Sequence, residues 1–256
     1  MSQNLESLYP TKPFSVDVKV NEIPWFIREM WQWGKINVMF GPEKSGKSRL
    51  LNWALVNSFL APSVLDMGID HVPQRVLYLA AEELAEDVNA RMLRYLALAG
   101  AVPRKTLLPI DFLAASGMRL EFEAQRKWLE NKILDGGYDV VVIDPLRRVH
   151  GADENDNTQM SRIFNEFRRW TNSYGITLIL LHHTGKLSED ANYDRIATWS
   201  RGASDLAAIL DTAQFVDRLS AKEVKLVRAG RFRPVKPLIL LDGQDDEFVY
   251  RRKLGG

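Results

Sequence analysis

The chain has no cysteine among its 256 residues. That excludes disulfides, thiolate metal centres and cysteine nucleophiles, and makes cytoplasmic residence the simplest expectation. It has no surplus of either charge: 34 Lys and Arg stand against 33 Asp and Glu, for a net charge of +1. Any polyanion must therefore be met by a local patch rather than by the field of the whole molecule. No apolar run approaches the ~18 residues of a membrane span, and the opening MSQNLESLYP has neither the basic nor the apolar region of a signal peptide. No membrane partner is expected. Repeats and low-complexity tracts are absent as well. What remains is a chain that is 46% hydrophobic and 26% charged, long enough to bury a core of its own. Met1 to Pro13 and Lys253 to Gly256 read as loosely held, flexible ends, and Phe14 to Arg252 as a single domain.

Against this plain background one segment is specific. Gly41, Pro42, Glu43, Lys44, Ser45, Gly46, Lys47 and Ser48 fit G-x-x-x-x-G-K-[ST], the phosphate-cradling P-loop, and Arg49 continues the predicted nucleotide-binding segment. The spacing has a mechanical reason. Gly41 and Gly46 permit backbone angles that aim successive N–H groups inward, and a helix opening at Gly46 adds its positive end. Lys47 would bridge the β- and γ-phosphates, and the Ser48 hydroxyl would join the coordination shell of Mg²⁺. Context supports the motif: Lys35 to Phe40 is a short apolar strand, and Leu50, Leu51, Ala54, Leu55 and Phe59 recur at helical spacing after it.

Strand and helix signals alternate along the rest of the chain, as in a sheet covered by helices. Strands are predicted at Arg75 to Ala80, Leu107 to Phe112, Tyr138 to Asp144 and Ile176 to Leu181. Helices are predicted from Leu84 to Ala99, from Glu121 to Leu134 through Phe122, Trp128, Leu129 and Ile133, and from Asn157 to Ser173. Four later strands, Ala213 to Leu219, Glu223 to Val227, Pro237 to Leu241 and Phe248 to Arg251, lack helices between them and predict an antiparallel extension. The expected class is α/β, a mostly parallel sheet flanked by helices with that C-terminal extension. Apart from Trp199, the seven tryptophans are expected mostly in the core.

Acidic and histidine residues stand at predicted strand ends, where α/β folds gather ligands. Asp144 closes a run of four apolar residues and reads as the Walker B carboxylate that would hold Mg²⁺. Glu82 and Glu83 follow the strand after the P-loop helix, where one carboxylate would activate the attacking water. Neighbours on extended backbone face opposite sides, so only one of the two can act, and the same holds for His182 and His183 as a γ-phosphate sensor. Arg147 and Arg148, with Lys186, Arg195 and Trp199 in a polar loop, are candidates for contacting single-stranded DNA through phosphates and a stacked base.

Taken together, GPEKSGKS, VLYLAAEE, VVVIDPLRRVHG, LILLHHTGK and RGAS resemble the RepA-type hexameric replicative helicases of broad-host-range plasmids and related phage ATPases, within the RecA-like superfamily. The resemblance runs from Trp33 to Arg233, about four fifths of the chain. It implies a RecA-like core that binds ATP and Mg²⁺ at the interfaces of a homo-oligomeric ring, with single-stranded DNA in the channel. It also implies Glu82 as catalytic base, Lys47 and Ser48 as phosphate and Mg²⁺ residues, Asp144 as Walker B and His183 as sensor. An arginine finger from a neighbouring subunit would be Arg201 or Arg231. Related helicases carry Lys-x-Arg near the latter position, where this chain has Ala229 before Gly230. The expected function is a DNA-stimulated, ATP-hydrolysing helicase. The alternatives are a filament-forming recombination or strand-annealing ATPase and a DNA-independent regulatory ATPase.

Overall fold

A strand made wholly of apolar residues is stable only when both faces are covered, and the four buried runs at Ile36, Val76, Val140 and Thr177 meet that condition here. A computed structural model describes residues 24–101, 107–151, 157–184, 209–230, 234–244 and 249–253. Arg201, Arg231, Lys186, Arg195, Trp199 and the chain ends lie outside the described residues.

The described chain opens with a small hairpin, β1 (Trp25–Ile27) and β2 (Trp31–Gln32), before β3 (Ile36–Gly41) leads through the P-loop into α1 (Lys47–Ser58). A second short hairpin, β4 (Ser63–Val64) and β5 (Met67–Gly68), precedes β6 (Val76–Ala80), α2 (Ala85–Leu98), β7 (Ile110–Ala114) and α3 (Glu123–Asp135). Then come β8 (Val140–Asp144), a 3-10 turn at Leu146–Val149, α4 (Asn157–Tyr174) and β9 (Thr177–His183). The strands β10 (Thr212–Ser220), β11 (Glu223–Gly230), β12 (Pro234–Asp242) and β13 (Tyr250–Arg252) follow.

Nine strands form one sheet in the order β13-β12-β11-β10-β3-β9-β8-β6-β7. The run from β10 to β7 is parallel throughout, and β10 to β13 pair antiparallel, so the predicted C-terminal extension is present. Strand β9 is inserted between the P-loop strand and the strand that ends in Asp144. Neither short hairpin is foreseen in the sequence, because pairs of two or three residues carry no periodicity. The first is tied down by buried Asn37 of β3, whose amide donates to Gln32 O (3.0 Å) and accepts from Gln32 N (2.7 Å) and Thr212 Oγ1 (2.7 Å).

The two faces of the sheet take alternate residues of each strand. Met39, Tyr78, Val142 and Leu181 join α1 and α2 in one core; Val38, Leu79, Ile143 and Leu180 join α3 and α4 in the other. In α3 only Leu129 and Ile133 are buried. The expected core residues Phe122 and Trp128 are exposed, Phe122 because it caps the helix in extended conformation and Trp128 because it points aside, under Lys132. The tryptophans depart from expectation in the same way: among the described ones only Trp31 and Trp170 are fully buried.

Candidate active site

Parallel pairing sets Gly41 opposite His183 and Ala80 opposite Asp144, so the carboxyl ends of β3, β9, β8 and β6 form one edge. The P-loop rises from it. A Cβ at Gly41 would stand 2.3 Å from the Val216 carbonyl oxygen and 2.8 Å from Ser45 Oγ, which only glycine avoids. Gly46, at φ +97°, caps α1 in the left-handed region.

Strand parity then sorts the side chains. Val140 and Val142 face α1, so Asp144, two residues on, faces it too. Its carboxylate accepts from Ser48 Oγ at 3.1 Å and from the Tyr78 hydroxyl. Burial pushes this carboxyl up to about 6, against the lowering effect of the Tyr78 and Ser48 hydrogen bonds, and burial likewise pushes the Tyr78 phenol well up. Tyr78 is a site residue the sequence reading missed; the one signal was a single polar atom in the otherwise apolar VLYLA.

The same parity separates the histidines. Leu180 faces away from α1 and Leu181 toward it, so His182 turns into the α4 core and His183 toward the P-loop. His182 is buried edge-on to Phe40, with ring centroids 5.8 Å apart. His183 Nδ1 lies 3.4 Å from Lys47 Nζ, and its Nε2 lies 3.7 Å from Glu82 Oε2. Lys47 Nζ also donates to the carbonyls of Gly41 (2.8 Å) and Pro42 (2.7 Å). Burial lowers this ammonium to about 8, against the opposing pull of Asp144, Glu43 and Glu82. The paired glutamates diverge: Glu82 reaches His183 and Arg148, whereas Glu83 is bound by Arg91 on α2. Glu43 and Lys44 are exposed, and the Arg49 guanidinium is turned toward Asp242 and the Tyr250 ring of the C-terminal strands.

These residues fit a nucleotide and its metal. Ser45 Oγ is buried at the loop with no hydrogen-bond partner, and the Lys47 ammonium, its charge disfavoured by burial, is completed by phosphate oxygens. Ser48 and Asp144 present hard oxygen donors side by side, the chemistry that suits Mg²⁺. No cluster of three His, Cys, Asp or Glu that could hold another metal occurs among the described residues, and none of their helices is long and apolar enough to cross a membrane.

A P-loop opening a helix, a carboxylate two strands away with one strand between, and helices on both faces define a P-loop ATPase of RecA-like fold. Sequence comparison narrows the class: an AAA domain family model matches residues 11–189, and the chain belongs to that family. Among solved structures, the ATPase domain of a helicase superposes with a TM-score of 0.61 at 16% identity, covering 85% of this chain and 84% of that one. The RadB recombinase superposes with a TM-score of 0.60 at 17% identity, covering 86% and 91% respectively. At these identities the likeness is one of fold. A search of curated proteins returned no match.

Proposed function

We propose that the chain is an ATP-hydrolysing motor that acts on single-stranded DNA, a replicative helicase of the RepA type working as a homo-oligomeric ring, a hexamer in that type. The observation that carries the reading is the contiguity of Lys47, His183 and Glu82 beside the Ser48–Asp144 pair on one sheet edge. ATP is the substrate. Lys47 and the P-loop N–H groups hold its β- and γ-phosphates, and Ser48 and Asp144 hold Mg²⁺. When bound, Mg²⁺ neutralises phosphate charge. Glu82 takes a proton from the attacking water as the water oxygen bonds to the γ-phosphorus and the bond to the β–γ bridging oxygen breaks, releasing ADP. His183, placed between Glu82 and Lys47, reports the γ-phosphate to the strand that leads into the loop after it. Arg201 or Arg231 of a neighbouring subunit would supply the finger.

The near-equal likeness to the RadB recombinase favours a second reading, a core-only recombination ATPase that coats DNA as a filament and uses ATP to switch affinity. Steady-state ATPase with and without single-stranded DNA, together with mass in solution on a non-hydrolysable ATP analogue, tests both. Strong stimulation of a closed ring supports the helicase, and stoichiometric coating without unwinding supports the filament. An unstimulated monomer refutes both and leaves the DNA-independent regulatory ATPase.

A further inference from the structure

Glu82 has a neighbour that the proposed reaction does not use. Arg148, in the turn after β8, places Nη2 at 2.9 Å from Glu82 Oε1, while the other carboxylate oxygen is the one near His183. The pair is open to solvent, its side chains 59% and 44% exposed. The turn beneath it is held: Arg148 N donates to Pro145 O at 3.1 Å, and the Arg148 carbonyl accepts from Arg119 at 3.4 Å. A fixed backbone thus offers a mobile guanidinium fork on the outer side of the carboxylate. Glu83 has its own arginine on α2, so Arg148 engages only the glutamate that reaches toward Lys47.

Two consequences follow from ordinary electrostatics. An oxygen of Glu82 engaged by Arg148 is unavailable to a water, and the carboxylate is drawn toward solvent rather than toward the phosphates. A solvent-exposed ion pair is weak, and a guanidinium binds phosphate oxygens in a bidentate fork, so a nucleic-acid backbone passing this edge competes for the arginine.

We propose that Arg148 restrains Glu82 until a phosphate of single-stranded DNA takes its guanidinium, which couples DNA binding to ATP hydrolysis. This rests on Glu82 as the base and DNA as the partner. Arg148 is a positioning residue: it acts through Glu82.

The test compares steady-state ATPase of the full chain for wild type, Arg148→Ala, Arg148→Lys and Glu82→Gln, with and without oligothymidylate. Without DNA, Arg148→Ala is expected to turn over about fivefold faster than wild type, through kcat with an unchanged KM for ATP. Oligothymidylate should then stimulate it by less than about twofold, and the salt dependence of DNA binding should fall by about one phosphate contact. Arg148→Lys, which keeps the charge but not the fork, should lie between the two. A DNA-free rate of Arg148→Ala at or below that of wild type overturns the proposal. Two results locate a failure in the premises instead: wild-type turnover by Glu82→Gln removes the base, and wild type unmoved by oligothymidylate removes the partner.

Discussion

His182 is neutral because it is buried, and that makes it an acid switch for folding. Only 2% of the residue is exposed; burial, then His183, His150, Lys47 and Arg147, hold its imidazole at about 4 rather than 6.5. The unfolded chain takes up this proton near pH 6.5 and the folded chain does not, so stability present above pH 6.5 is lost as pH falls toward 4. At about 1.4 kcal/mol per tenfold difference, the interval amounts to about 2 kcal/mol by pH 5 and about 3 kcal/mol by pH 4. His182→Leu deletes the titrating group along with a buried Nδ1 that has no partner. Urea denaturation of both proteins from about pH 7.5 to about pH 4 isolates the effect, because the carboxylates common to both cancel in the difference. The wild-type curve should fall relative to the variant by about those amounts. Curves that stay parallel across this range would refute the burial argument.

Lys47→Ala should lower ATP hydrolysis by at least ~10²-fold and abolish binding of a fluorescent ATP analogue; normal turnover would sink the P-loop assignment. It should not cost folding stability, since a buried ammonium is removed. Glu82→Gln should retain nucleotide binding and lose hydrolysis by ~10²-fold or more, while Glu83→Gln, which disturbs only the contact with Arg91, should stay near wild type. The reverse pattern in single-turnover assays would show that the wrong glutamate was chosen. Asp242, its side chain only 1% exposed, holds both Arg49 and Arg218 beside the P-loop helix. Asp242→Ala strands two cations and should cost about 3 kcal/mol, read as a drop in Tm of about 6 to 12 °C by calorimetry. An unchanged Tm would mean that the cluster contributes nothing.

Much of the fold was legible because it is written locally. The P-loop is eight consecutive residues, and each buried parallel strand is an unbroken apolar run bounded by polar residues, so β3, β6, β8 and β9 lie within a few residues of expectation. Asp144 and the paired glutamates and histidines were legible as strand-end residues for the same reason. The core role expected of Trp128 and Phe122 failed because helical spacing says which residues share a side and not how wide a stripe the neighbours will cover.

The sequence by itself determined the phosphate loop, the alternation of strands and helices, and the positions where carboxylates and imidazoles leave the sheet, since each depends on residues within a few positions of one another. The tertiary structure alone decided which member of each pair looks at the loop. His183 rather than His182 meets Lys47 because β9 lies between β3 and β8 with α1 on one face, a matter of strand order that no local pattern carries. Contacts made across long stretches of chain, Arg148 on Glu82, Tyr78 on Asp144 and Asp242 on Arg49, exist only once the sheet has brought distant segments to one edge.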